Sequence, residues 1–378
     1  MPRRAGMYFG RFFCVQQAVS GGDSLFFILD REVGETMGVQ RNRQKLPYPS
    51  ILILLGAALL AAVAASAALG RYPIAPRELA GILLSRIVPI TPFWDPVQES
   101  LFLQHRLPRI LLACLVGGGL SAAGTAYQGV FQNPMAAPDI LGASSGAGFG
   151  AALAILLGLG RGLTVAMAFG FGLLTVGAVV YTSRWVKGKQ VLGLVLSGMI
   201  VSSLASSGTS LIKLTADPQN QLPAITYWLM GSLNGASPKD VWLAAVPMAL
   251  GLIPLLLLRW RINLLTLGDE EARSLGVNAR ALRTVVLLCA TLATAASVAV
   301  SGMIGWVGLV VPHLARRLAG EDYSRLLPAA VLFGAVFLLL VDDLSRSLMA
   351  SEIPIGILTS FVGAPFFLYF IARDGERH

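Results

Sequence analysis

The chain has 378 residues, of which 55% are hydrophobic and only 13% charged, with a formal net charge of +9. A water-soluble domain carries about 25% charged residues, so the composition excludes an ordinary soluble fold, and the basic excess reads as the loop bias of a membrane protein and not as a nucleic-acid surface. Apolar runs approach the ~20 residues that span a bilayer as a helix, which excludes a β-barrel of short alternating segments.

Residues 1–49 are mixed in polarity and hold seven basic residues, Arg3, Arg4, Arg11, Arg31, Arg41, Arg43 and Lys45. They lack the compact pattern of a signal peptide and are expected to form a cytoplasmic tail. Apolar cores then recur at 50–69, 108–130, 140–158, 162–183, 191–212, 240–259, 284–301, 304–319, 326–345 and 354–372. The expected fold is an all-α polytopic membrane protein of about ten transmembrane helices, with a permease domain over 50–372 and a short cytoplasmic end at 373–378. The eighth core is short and contains Pro312 and His313, so neighbouring helices should shield it. With the N-terminus inside and the spans alternating, 20 of the 29 Lys and Arg fall inside. That bias puts both termini in the cytoplasm.

Between the first two cores, residues 70–107 are rich in proline, and Trp94, Tyr227, Trp228 and Trp242 fall near the expected outer interface, where amphipathic rings are favoured. Arg106 and Arg109 also lie outside, against the charge trend. Interfacial snorkelling is the plain account of them. Asp342 and Asp343 close the ninth core, and Arg346, four residues after Asp342, is placed to pair with it.

The stretch FQNPMAAPDILGASSGAGFG, residues 131–150, interrupts the apolar flow. Its prolines predict a tight cytoplasmic reversal, Asp139 is placed to cap a helix, and Gly142, Gly146 and Gly150 recur at four-residue spacing. Such rows let membrane helices approach closely. The preceding core carries its own row, Gly117, Ser121 and Thr125. Further on, GDEEARSLGVN predicts a short helix with Asp269 as cap, Glu270 and Glu271 in the first turn, Arg273 near the end and Gly276 as terminator. Ala272 and Leu275, with Leu267, give it an apolar side. The fifth core is enriched in small hydroxyl residues, Ser206 and Ser207 among them. Cys14, Cys114 and Cys289 show no pairing or metal spacing, and His313 lacks a second ligand nearby, so no metal site is expected.

The run RLPRILLACLVGGGLSAAGTAYQGVFQNPMAAPDILGASSGAG resembles the signature of type II ABC importer permeases, the family of vitamin B12, ferric-siderophore and haem uptake. YWLMGSLNGA, LLTLGDEEARSLGVNARALR, SGMIGWVGLVVPHLARRLAGEDYSRLLP and EIPIGILTSFVGAPFFLYFI extend the resemblance over roughly residues 50–372. It implies ten helices per subunit, a homodimer with a path along its axis, two cytoplasmic ATPase subunits and an extracytoplasmic substrate-binding protein in a bacterial inner membrane. It further implies that Arg106, Arg109 and Arg346 dock the binding protein, and that Gly268, Asp269, Glu270, Glu271, Ala272, Leu275 and Gly276 form the segment that couples to the ATPase. Asn133, Pro134 and Met135 would lie at the inner gate, with Ser206 and Ser207 on the path. The chain has no G-x-x-x-x-G-K-S/T loop, so ATP and Mg would sit on the partner ATPase and no cofactor on this chain. The expected cargo is a metal chelate, ferric siderophore first, with haem and cobalamin open. A proton-coupled secondary carrier is the reading from a different class.

Overall fold

The computed structural model describes residues 47–375 apart from Arg71, Pro73, residues 187–189 and Ala350. The expected tail over 1–49 falls almost wholly outside the described residues, as do residues 376–378.

Fourteen α-helices are described. They are α1 (Tyr48–Ala68), α2 (Pro76–Leu84), α3 (Pro96–Leu101), α4 (Leu107–Phe131), α5 (Ala143–Leu156), α6 (Arg161–Thr182), α7 (Gln190–Thr215), α8 (Gln221–Leu229), α9 (Pro238–Leu267), α10 (Asp269–Ser274), α11 (Ala279–Ser301), α12 (Val307–Ala319), α13 (Tyr323–Ser347) and α14 (Ile355–Gly375). Each of the ten apolar cores has become one helix. Seven helical stretches among the described residues are long and apolar enough to cross a membrane, and α5 and residues 355–369 add two shorter apolar ones. The eighth core is α12, only 13 residues with Pro312 inside. It packs against α4 and α13, which supplies the shielding a short span requires.

α4 is the central helix. It continues without a break from α3 through a π-helical turn at Phe102–Arg106, and most of its residues are buried. Glycine makes this possible. A Cβ on Gly117 would lie 2.2 Å from the Gly334 carbonyl oxygen of α13, and one on Gly124 only 1.8 Å from the Gly308 carbonyl oxygen of α12. Bare backbone on both sides lets these helices touch where lipid supplies no hydrophobic drive.

The second glycine row packs elsewhere, on α6. A Cβ on Gly146 would strike Thr175, and one on Gly150 would lie 2.5 Å from the Met167 carbonyl oxygen. Gly142 is not part of the helical row. It precedes α5 with φ +73°, a conformation glycine adopts without strain. Asp139 therefore does not cap α5. It sits in a 3₁₀ turn, Pro138–Leu141, and its carboxylate accepts a hydrogen bond from the Ser144 hydroxyl.

α9 marks the membrane. Trp242 and Trp260 are both exposed. The 18 residues between them make about 27 Å of helix, close to the ~30 Å of a bilayer core, and five turns leave both rings on one side of α9. Leu250, Ile253 and Leu257 are exposed between them. Tryptophans at both ends of an apolar stripe are an interfacial belt. With that stripe set in the bilayer core, the last turns of α9, beyond Trp260, extend past it. Trp94 does not join this belt. It is buried, and its indole N–H donates to Glu99 at 2.9 Å.

Candidate functional site: two helix ends and a cavity

The residues with functional potential gather at two opposite ends of the helices and in one cavity. At the first end, Arg109 of α4 donates to both oxygens of Asp342 at 2.9–3.0 Å and to Glu352 at 2.9 and 3.1 Å. Arg346 pairs with Asp343 and donates to the Ser66 carbonyl at 2.9 Å and the Leu69 carbonyl at 3.2 Å. It thereby caps the C-terminal carbonyls of α1 with a cation, as the helix dipole favours. The Ser66 hydroxyl completes the cluster by donating to Asp343 at 2.8 Å. The i,i+4 pair expected between Asp342 and Arg346 is only marginal, at 4.0 Å. Asp342 prefers Arg109 because a guanidinium fork meets a carboxylate with two hydrogen bonds. Arg106 is buried, and its guanidinium donates to the carbonyls of Ala67, at 3.0 Å, and of Tyr72. All three arginines are thus tied within the chain, and they line one cavity of about 770 Å³ with His105, Asn234 and Glu352. Glu352, 243 positions from Arg109, could not be foreseen as its partner from sequence.

At the second end, α10 stands beyond Trp260. Its N-cap is Gly268 at φ +118° rather than Asp269, which is the first helical residue. The Glu271 carboxylate reaches back so close that a Cβ on Gly268 would lie 2.6 Å from it. The helix ends in a Schellman motif. Val277 N–H donates to the Ala272 carbonyl at 3.0 Å and Gly276 N–H to that of Arg273 at 2.9 Å, with Gly276 at φ +77°. Ala272 is fully buried, whereas Leu275 and Leu267 are 59% and 56% exposed. The single apolar side expected from sequence is therefore split into an anchor facing the bundle and a free surface facing away.

The reversal after α4 meets this segment. Gln132 adopts φ +50°, unusual for a residue with a side chain, and its amide donates to the Leu265 carbonyl at 2.6 Å, two residues before α9's last residue. Asn133 folds its side chain onto Met135 N–H at 2.9 Å, so Asn133, Pro134 and Met135 form a tight exposed tip. Gate candidates and coupling candidates from distant parts of the chain thus share one end of the molecule. Ser206 and Ser207 lie apart, on an exposed face of α7.

A second cavity, of about 690 Å³, is lined by Asp139 and Ser144, by the unwound Met303–Gly305 before α12, and by Gly356, Ser360 and Phe361 of α14. Among the described residues, Asp139 is the one charged side chain that lines it. Trp306, at φ +69°, holds its ring against Gly363 of α14. The wall joins three stretches far apart in sequence, around Asp139, Met303 and Gly356, which is why sequence spacing assigns Asp139 no role at a cavity.

The described residues contain no group of three or more His, Cys, Asp or Glu able to hold a metal ion. The geometry is that of a bundle of apolar helices long enough to cross a membrane, with cavities among and at the ends of them.

Comparison with known proteins agrees. The model of the FecCD transport family matches residues 52–373. The chain is 42% identical over 331 residues to the molybdate import system permease protein MolB of Haemophilus influenzae, covering 87% of this chain and 98% of that protein. It is 38% identical over 341 residues to the Fe(3+)-citrate import system permease protein YfmE of Bacillus subtilis, covering 89% and 98%. A solved metal-chelate type ABC transporter in an inward-facing conformation superposes with a TM-score of 0.78 at 40% identity, covering 86% of this chain and 99% of that one. The chain is therefore a membrane-spanning ABC permease and belongs to the FecCD transport family.

Proposed function

We propose that the chain is the permease subunit of an ATP-driven importer in a bacterial inner membrane, working as a homodimer with two ATPase subunits and an extracytoplasmic substrate-binding protein. Both termini, and α10, face the cytoplasm. The observation that carries this reading is α10 itself: a short helix beyond the membrane boundary, pinned by buried Ala272 and presenting exposed Leu275. Gly268 to Gly276 would seat in a cleft of the ATPase. A rigid helix at a loop tip, joined through Gln132 and Leu265 to the α4 reversal, can pass nucleotide-driven closure to the helices behind it.

At the opposite end the binding protein would dock over the cavity lined by Arg106, Arg109 and Arg346. Its acidic residues would share arginines that already hold Asp342, Asp343 and Glu352, giving orientation and encounter rate more than affinity. Asp342 and Asp343, both ion-paired, offer no free carboxylate for a proton-coupled carrier. Asn133, Pro134 and Met135 would form the inner gate, with Ser206, Ser207 and the 690 Å³ cavity along the path.

The proposed cargo is a metal chelate, ferric siderophore first, with haem and cobalamin as alternatives. A cavity walled by small and apolar groups suits a bulky solute that must be released. A second reading, molybdate, is favoured by the relative that carries that name. Reconstitution with an ATPase and each loaded binding protein tests the proposal. ATP-dependent uptake of one of these solutes is the expected result, and uptake driven by a proton gradient without ATP would overturn it.

A further inference from the structure

At the second end, a depression of about 590 Å³ separates α9 from α11. Its walls are aliphatic, from Leu258 and Leu264 on one side and Leu282 and Val285 on the other. Trp260 lines it and is exposed, and the preference of tryptophan for the interface puts the depression at the level of the lipid head groups. It opens toward lipid-facing residues of both helices, Leu257 on α9 and Val285 and Leu288 on α11, all exposed. Among the described residues, Arg261 is the only charged one that lines it, is itself exposed and has no acidic partner.

An unpaired guanidinium at head-group height, above an apolar slot open to the acyl region, is complementary to an anion carrying hydrocarbon chains. Guanidinium groups suit phosphate because their donors match its oxygens in pairs. A soluble phosphate would leave the aliphatic walls unsatisfied, and an uncharged lipid would leave Arg261 so. We propose that this slot binds one anionic phospholipid, with the phosphate on Arg261 and a chain between Leu258 and Val285. Leu275 and Gly276 of α10 form part of the same wall. The bound lipid therefore touches the segment that meets the ATPase in the reading above, and lipid charge acts on coupling.

The test measures lipid retention by the purified full chain with native mass spectrometry, using phosphatidylglycerol and phosphatidylcholine as probes. The wild type should prefer phosphatidylglycerol, and Arg261→Gln should weaken that preference about fivefold, the effect of one basic residue at an anionic surface. Val285→Trp, which fills the slot and keeps the charge, should also lose the retained lipid. Arg273→Gln, on exposed α10 outside the slot, should not change the preference. Equal loss in Arg273→Gln and Arg261→Gln, or a preference unchanged in Arg261→Gln, would overturn the site. So would loss of the lipid once the ATPase is assembled, since the ATPase would then be the occupant. These readouts need no transport, so they stand or fall separately from the importer reading.

Discussion

Arg109 and Asp342 form a two-pronged ion pair at 2.9–3.0 Å across α4 and α13, with the Asp342 side chain fully buried. Removing the cation strands a buried carboxylate, which costs about 3–5 kcal/mol where one partner of such a pair is lost. Arg109→Ala should therefore lower the melting temperature of the detergent-purified protein sharply. Arg109→Leu combined with Asp342→Asn should recover much of the loss. A single variant as stable as wild type would mean the pair is not structural.

Close helix contact makes a second contrast. Gly124→Ala drives a methyl to 1.8 Å from the Gly308 carbonyl oxygen, whereas a Cβ on Gly170 meets nothing within 4 Å. Overpacking costs about 1–3 kcal/mol and rises when only backbone is available to yield. Thermal unfolding should show Gly124→Ala well below Gly170→Ala. Equal midpoints would contradict the α4–α12 packing.

The two sides of α10 should separate fold from coupling. Leu275→Asp changes an exposed surface and should abolish ATP-driven uptake while the purified chain keeps its melting temperature and oligomeric state. Ala272→Asp buries an unpaired charge and should destabilise the chain itself. Normal uptake by Leu275→Asp would remove α10 from the coupling role.

Asp322 gives a pH signature. It caps α13 by accepting from Ser324 N–H at 2.9 Å and from the Asn263 amide at 2.7 Å. Slight burial pushes its carboxyl up, but the Asn263 and Ser324 hydrogen bonds and nearby Arg325 outweigh this and leave it below its usual value. A depressed folded value means stability present above the unfolded pKa and lost as pH falls through the folded one. The stability gap between wild type and Asp322→Asn should be full near neutral pH and shrink below the ordinary carboxylate range. A gap constant down to acid pH would exclude an ionic role.

Apolar length alone determined the ten helices, because a bilayer accepts only segments whose backbone bonds close internally. Turn chemistry was legible where it is local: Gly276 as terminator and the tight Asn133–Met135 tip both follow from neighbours in sequence. Even there, capping failed at Asp139 and Asp269, since a glycine with positive φ precedes α5 and α10 and takes the cap position. Only the tertiary structure decided the long-range pairings. Arg109 chose Asp342 and Glu352 over solvent, Gly117 and Gly124 of α4 chose α13 and α12, and Gly146 and Gly150 of α5 chose α6. Sequence spacing sets which residues share a helix face. Which face meets which depends on how all the helices fit together, and that sum over contacts exists only in the folded bundle.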